Sequence, residues 1–449
     1  MHKLYPYQEE GVAKMVDQSG RVLLADQMGL GKTLQALAYT KGHTTGPVIV
    51  ICPSSLKINW QREAAECGLE SVVLKGRLPD SSLESKMYIL NYDIVDAWKD
   101  ELISKKPELL ILDECHFVKS RSAKRTKACR AIAKKCEKMI AISGTPLTNK
   151  PAELWTTLNM LKPRDFSAFL GFARMFCKPR RTPWGMDYSG AANLDRLHKQ
   201  LQTFMIRRLK EDVLTDLPEK TYNLVPLPID DMEEYEAAAR DYLEYLRGVD
   251  ANAARKAARA EAISKTNGLK RLAANLKKPY LFKYFDDVLE NKDKIVISCI
   301  HHHMIDDLMA YFKDKGMNPV KIDGRDKMTN RQGAVDTFQN DKSCRVFVGQ
   351  LKAAGAGITL TAASDVYFAE IGWVPGEHAQ MSDRVHRIGQ RNACTANFLV
   401  AADTIEESFV KVLQKKMEVI GQVLDGTAEV EGSNLYDLLM EEITSHVKS

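Results

Sequence analysis

Unbroken apolar runs of strand length recur in two stretches of the chain, with helical patterning between them. The first stretch carries Arg21–Ala25, Val48–Cys52, Met87–Leu90, Leu109–Leu112 and Met139–Ile142. The second carries Lys294–Ser298, Val320–Ile322, Arg345–Val348, Asp365–Phe368 and Asn397–Val400. A strand that is apolar on both faces must be covered on both, so these runs suit parallel sheets flanked by helices. The alternation of strand and helix gives the same answer, an α/β fold in two lobes. The expected boundaries are a first lobe over 1–160, a helical insertion or linker region over 161–285, a second lobe over 286–420 and a helical tail over 421–449.

Composition serves mainly to exclude. A chain of 449 residues that is 45% hydrophobic and 27% charged can build more than one core, and is neither collagen-like nor mainly disordered. No apolar run approaches the roughly 18 residues that a membrane-spanning helix needs. The opening MHKLYPYQEE has no apolar region of the kind a secretory leader carries. Nine cysteines without a Cys-x-x-Cys spacing read as reduced thiols in an intracellular compartment. The balance of 64 Lys and Arg against 59 Asp and Glu, a net +5, is compatible with a polyanionic partner and does not require one. Arg255, Lys256, Arg259, Lys265, Lys270, Arg271, Lys277 and Lys278 have only Glu261 as a nearby acid. They read either as a solvated helix surface or as a basic strip beside a nucleic-acid groove. The run His301-His302-His303 has no ligand set of zinc spacing with it and is not read as a metal site.

The strand ending near Ala25 leads into Asp26-Gln-Met-Gly29-Leu-Gly31-Lys32-Thr33 and then an apolar helix. A Gly-rich turn at this point aims backbone N–H groups and the positive end of a helix at phosphates. Lys32 would reach the outer phosphates and the Thr33 hydroxyl would ligate Mg²⁺. Asp26 stands where the strict pattern has Gly. Downstream, Leu109–Leu112 runs into Asp113-Glu114-Cys115-His116. Asp113 at a strand end is placed to hold the metal through water, and Glu114 to polarise an attacking water. Gln8, about 20 residues ahead of the Gly-rich turn, has the donor and acceptor needed to read an adenine edge. The second lobe lacks a Gly-Lys-Thr of its own, so a single ATP site is expected. It offers Gln380, Arg384, Arg387 and Arg391 at spacings that make one stripe if the segment is helical, with Arg384 and Arg387 as candidate fingers for a γ-phosphate.

These motifs, in this order, resemble the SWI/SNF-type DNA translocase ATPases (the sucrose-nonfermenting-two family) of the superfamily-two motors. The resemblance runs from about residue 3 to 420 and includes Ser143-Gly-Thr145-Pro146, Met205–Val213, Ile322-Asp-Gly324, Lys352–Ala363 and Asp383–Gln390. The ending Arg387-Ile-Gly-Gln390 separates this family from RNA helicases of the same superfamily. Pro151–Trp155, Phe368-Ala-Glu370 and Trp373-Val-Pro375-Gly376 look most like the HARP-type annealing helicases. Gln27 stands where the family carries Glu, and Ala354 where it carries Gly.

The resemblance implies two RecA-like lobes, ATP and Mg²⁺ as cofactors, and double-stranded or branched DNA as partner, with no membrane role. It implies that Ser143 and Thr145 couple nucleotide state to movement. Ser54, Asn91, His302, Gly355, Thr359 and Trp373 would touch the DNA backbone, and Gln380 would lie near the nucleotide. The chain is expected to be a monomeric bare motor, as bacterial and phage members often are, working in the cytoplasm or nucleoid there and in the nucleus in a eukaryote. Its expected activity is DNA-dependent ATP hydrolysis driving translocation on duplex DNA. The alternatives are a strand-separating helicase, an RNA-directed motor, and a low-turnover ATP-binding scaffold for repair or restriction partners. The intact Lys32, Asp113, Glu114 and Arg387 argue against the scaffold.

Overall fold

The computed structural model describes residues 4–182, 185–214, 216–248, 255–355 and 357–426. The chain divides into two compact units. The first comprises Met1–Cys177, Ala191–Thr215 and Val419–Val430; the second comprises Lys178–Gly190, Asp216–Glu418 and Glu431–Ser449.

The first unit is built on a seven-stranded sheet, all parallel. Its strands are β1 (Arg21–Leu24), β2 (Val48–Cys52), β3 (Ser71–Val73), β4 (Met87–Asn91), β5 (Leu109–Asp113), β6 (Lys138–Ile142) and β9 (Met205–Ile206). Their order across the sheet is β3-β4-β2-β5-β6-β1-β9. Alternate residues face opposite sides. Val22, Leu24, Val48, Val50, Met87, Leu109, Ile111 and Ile140 share one core with Met15, Leu37 and Trp60 of helices Pro6–Asp17, Lys32–His43 and Lys57–Glu66. Their strand neighbours Leu23, Ile49, Ile51, Leu110, Leu112 and Met139 are also fully buried. They face the other side, which helices Val95–Ser104, Lys124–Ala133 and Trp155–Leu161 cover.

The second unit repeats the plan. Strands β10 (Lys220–Leu227), β11 (Ile295–Cys299), β12 (Val320–Ile322), β13 (Val346–Gln350), β14 (Asp365–Phe368) and β15 (Cys394–Ala401) lie in the order β10-β15-β14-β11-β13-β12, again parallel. Ile295, Ile297, Val346, Val348 and Tyr367 face one core, and Val296, Phe347, Val366 and Phe368 the other. A short antiparallel pair, β7 (Arg180–Thr182) and β8 (Gly185–Asp187), stands apart from both sheets.

The region 161–285 differs from its description as a helical insertion. It does contain helices Met232–Gly248, Arg255–Leu276 and the start of Lys278–Asn291, but β9 joins the first sheet and β10 edges the second. Neither strand carries a readable signal. The first has only 2 residues, and the second opens on the polar Lys220-Thr-Tyr-Asn223 and exposes Thr221, Tyr222, Asn223 and Leu224, so its apolar part is confined to Leu224–Leu227. A helix spans Ile405–Asp425. The rest of the expected tail, 427–449, lies outside the described residues.

Candidate nucleotide and nucleic-acid sites

In the first unit the chain leaves β1 and turns through Asp26–Gly31 into the helix Lys32–His43. Gly29 and Gly31 take φ of +89° and +69°, the left-handed region that glycine enters without a Cβ clash. A Cβ on Gly31 would also sit 2.4 Å from Gln8 Nε2. Gln8 is buried, and its amide is engaged at both ends. Oε1 accepts from the Tyr5 N–H at 3.0 Å, and Nε2 donates to the Leu30 carbonyl at 3.2 Å. The side chain expected at an adenine edge thus braces the loop. Lys32 Nζ donates to the carbonyls of Asp26 at 2.7 Å and Gln27 at 3.1 Å. Burial pulls its pKa down, against the carboxylates of Glu114, Asp26 and Asp113. Thr33 follows in the first helical turn, half-buried.

Sheet register assembles the rest. Asp113 pairs with Ile142 across β5 and β6, which sets the next residues, Glu114 and Ser143, side by side. The Ser143 hydroxyl donates to Glu114 Oε2 at 2.9 Å, and His116 Nδ1 lies 3.3 Å from both groups. The Thr145 N–H donates to Ser143 Oγ at 3.2 Å. A Cβ on Gly144 would come within 2.5 Å of Met28 Cγ and 3.3 Å of Lys32 Nζ, so this residue lies against the Gly-rich loop. Asp113 is buried, accepting from the Trp60 indole N–H at 2.7 Å and from the Glu114 N–H at 2.9 Å. Burial and the adjacent Glu114 charge push the Asp113 carboxyl up. Glu114 is opposed by the same burial but held well down by His116, Lys32 and Ser143. Glu114 sits at φ +51°, a backbone strain that costs on the order of 1 kcal/mol and is tolerated where a side chain must be aimed. The adjacent Asp113 and Glu114 carboxylates, one buried and one partly exposed, and a hydroxyl at a helix start are hard oxygen donors of the kind Mg²⁺ takes. Thr33 and Asp113 fit that ion.

Arg207 and Arg208, to which the sequence alone gives no role, both bond at the entry to the Gly-rich loop. Arg208 grips the fully buried Asp26 with Nε at 2.9 Å and Nη2 at 2.8 Å, and Gln35 adds a third donor at 2.9 Å. The departure from Gly at position 26 therefore supplies the acid of an ion pair that fastens β9 to the Gly-rich loop. Arg207 donates to the Ala25 carbonyl at 2.8 Å and the Gly144 carbonyl at 3.1 Å, and pairs with Asp425 at 2.7 Å. Gln27, in place of the family's Glu, accepts from the Lys210 N–H at 2.7 Å. We expect Arg208→Ala to cost about 3–5 kcal/mol of unfolding free energy, because it leaves a buried carboxylate uncompensated. An unchanged denaturation midpoint would contradict this.

Of the first-unit positions expected at DNA, Ser54 is exposed just past β2. Asn91 ends β4 and donates to Asp93 Oδ2 at 3.1 Å. Cys52 pairs with Asn91, so both positions lie at the C-terminal edge of the sheet, the edge that also carries Asp113.

The second unit corrects the expectation of a helical stripe. The helix Pro375–Ser382 stops before Arg384, and the chain continues as turns through Gly389, whose φ is +99°. Gln380 is on the helix, Arg384 and Arg387 are in the turns, and Arg391 is in the exposed connection to β15. Arg384 is only 2% exposed; its guanidinium donates to the carbonyls of Gly355 at 2.6 Å and Ile358 at 3.3 Å. It holds a loop from within. Arg387 is half-buried and donates to Thr359 Oγ1 at 3.1 Å and the Asp383 carbonyl at 3.1 Å. Gln390 explains the motif's last letter, since its amide donates to the carbonyls of Ala363 at 2.8 Å and Val385 at 3.0 Å and accepts from the Arg391 N–H at 2.9 Å. Gly355 is required, as a Cβ there would meet the Leu351 carbonyl at 2.8 Å; Gln380 lies beside it, its Oε1 3.8 Å from that Cβ position. Ala354, in place of the family's Gly, is buried against Gly349.

His302 is exposed at the start of helix His302–Asp314, while His301 pairs with the buried Glu370 at 2.6 Å and His303 lies 3.2 Å from Asn275 Oδ1. Among the described residues no group of three or more His, Cys, Asp and Glu side chains is placed to hold a metal ion by itself. Trp373 packs edge-on against Phe409 at 4.3 Å, and its indole N–H donates to Asn267 at 3.1 Å. The basic strip is likewise partly interior. Lys277 is fully buried, bonded to Glu406 at 2.6 Å and to the Leu399 carbonyl at 2.6 Å. Lys270 is buried over the Phe409 ring, and Lys278 pairs with Asp307. Arg255, Lys256 and Arg259 lie on a helix whose side chains are outside the described residues there.

Residues 7–281 match the model of the SNF2-related domain, and residues 280–389 that of the helicase conserved C-terminal domain. The chain belongs to the SNF2-related family. This SNF2-related chain is 34% identical over 431 residues to the SWI/SNF-related matrix-associated actin-dependent regulator of chromatin subfamily A-like protein 1 of Xenopus tropicalis, covering 93% of itself and 45% of that protein. It is 31% identical over 454 residues to the DNA annealing helicase and endonuclease ZRANB3 of Mus musculus, covering 95% of itself and 41% of that protein. It thus spans less than half the length of these relatives. The Sulfolobus solfataricus SWI2/SNF2 ATPase core in complex with dsDNA aligns over 98% of this chain and 96% of that one, at 24% identity and a TM-score of 0.45.

Proposed function

We propose that this SNF2-related chain is an ATP-driven motor on duplex DNA that remodels or re-anneals branched structures. The observation that carries the proposal is the hydrogen bond between Ser143 and Glu114, with Gly144 lying against Lys32. One short segment touches both the hydrolytic carboxylate and the phosphate-binding lysine, so a change at the nucleotide can be passed to the protein. In this reading Lys32 and the Gly-rich loop bind the outer phosphates. Glu114, ionised and oriented by Ser143 and His116, accepts the proton of the attacking water. Mg²⁺, when bound by Thr33 and Asp113, offsets phosphate charge. Arg387 supplies the cationic group for the γ-phosphate, and Arg384 holds the carbonyls of Gly355 and Ile358 in place. Ser54, Asn91, His302, Gly355 and Thr359 contact the DNA backbone, positioning without reading bases. Trp373 acts through its loop.

Duplex DNA as substrate, and annealing as outcome, rest on the relatives, one of which is named as a DNA annealing helicase. The test is phosphate release measured with linear duplex, single strand, RNA, forked and four-way DNA, beside annealing and strand-displacement assays. Stimulation by duplex and branched DNA with strand re-annealing is the expected result. Stimulation by RNA alone, net strand displacement, or no turnover with any nucleic acid would overturn the proposal.

A further inference from the structure

Lys270 and Lys277 of the basic strip are packed away in the second unit, whereas a region of the first unit carries cations that no carboxylate answers. Residues 121–135 contain Arg121, Lys124, Arg125, Lys127, Arg130, Lys134 and Lys135, and no Asp or Glu. The helix Lys124–Ala133 buries Thr126, Ala128, Cys129, Ile132 and Ala133. At 100° per residue, Lys124, Lys127 and Lys134 fall within one narrow sector on its other side, and all three are exposed, as are Arg121 and Lys135. Among the described residues, no carboxylate lies within ion-pair distance of any of these seven side chains, although Lys119 and Lys138 on either side do have acidic partners.

The arrangement is costly for a merely structural surface. Lys124 and Arg125 occupy the first turn, where the helix dipole disfavours cations. The Arg121 guanidinium is held 3.3 Å from the Phe169 ring centroid and that of Arg130 5.0 Å from Trp155. Burial, together with the positive charge of Arg121, depresses the pKa of Arg130. Nε of Arg125 and both Nε and Nη2 of Arg130 are buried without a hydrogen-bond partner. Like charges gathered on one exposed face, with no acid nearby, suit a regularly spaced polyanion. This helix covers the sheet face opposite the helix Lys57–Glu66 that follows Ser54.

We infer that the exposed face of helix Lys124–Ala133, with Arg121 and Lys135, is a second DNA-binding surface that takes the phosphodiester backbone of a duplex arm other than the one contacted at Ser54 and Asn91. This inference rests on the duplex-DNA reading above and adds a site to it. The experiment compares the full chain with the triple variant Lys124→Ala, Lys127→Ala, Lys134→Ala on linear duplex and on a four-way junction, from 50 to 200 mM salt. Removing one lysine–phosphate pair makes the log–log salt slope shallower by about 0.9, so removing three makes it shallower by about 2.7. On the junction, the unmodified chain should therefore lose about 40-fold more affinity across that salt range than the variant. The variant's slope on linear duplex and its maximal duplex-stimulated ATPase should match the unmodified chain, and a Lys→Arg triple should restore the junction slope. Equal slopes on the junction, or an equal loss on linear duplex, would overturn the second surface, as would a defect confined to RNA or anionic vesicles. Absence of DNA stimulation in the unmodified chain is a different result, because it removes the motor reading itself.

Discussion

Replacing Glu114 with Gln should leave ATP binding intact and reduce hydrolysis by roughly 10²–10⁴-fold, the usual contribution of a positioned general base. The amide keeps the size of the carboxylate and an oxygen to accept from Ser143, now 2.9 Å away. It cannot take the proton of water. The amide also removes the negative charge that His116, Lys32 and Ser143 favour on Glu114. Equilibrium titration with a fluorescent ATP analogue, beside steady-state phosphate release, separates the two effects. Turnover within tenfold of the unmodified chain would remove Glu114 from the chemistry, and loss of binding would make its role structural. Lys32→Ala should behave differently, weakening nucleotide affinity as well as turnover, because its ammonium is the group proposed to meet the outer phosphates.

The second large effect distinguishes two arginines that look alike in sequence. Arg387→Ala should lower DNA-stimulated turnover by about a thousandfold, as loss of an arginine finger does, with little change in thermal unfolding. Arg384→Ala should instead destabilise the second unit, by about 1–3 kcal/mol, because the carbonyls of Gly355 and Ile358 lose their buried donor. Thermal unfolding measured beside kcat for each variant tests the pair. If Arg384→Ala reduced kcat with an unchanged melting point, the roles would be reversed. Equal, small effects on kcat from both would take the finger away from this segment.

Much of this chemistry is legible one residue at a time. The glycines at 29 and 31, the lysine and threonine after them, and the acidic pair after β5 announce themselves because their neighbours in sequence are also their neighbours in space. The partners of those groups do not. Trp60 reaches Asp113 across 53 residues, and Arg208 reaches Asp26 across 182. No local pattern marks either pairing. The arginine stripe does not form because the segment leaves the helix after Ser382, where side-chain and turn hydrogen bonds replace the helical ladder that its spacing assumes. The basic strip departs from expectation for a related reason. Lys277 looks like a surface charge until Glu406, 129 residues later, arrives beside it.

The two parallel sheets, the membership of each long apolar run in them and the existence of a Gly-rich turn between strand and helix were determined by sequence alone, because burial on both faces and glycine-dependent backbone geometry are written in local composition. Only the tertiary structure decided which cations are free and which are neutralised, which arginine is turned inward, and how Ser143 meets Glu114. Those outcomes depend on strand register and on charges brought together from distant parts of the chain, and electrostatic energy is set by distance in space, whatever the separation along the backbone.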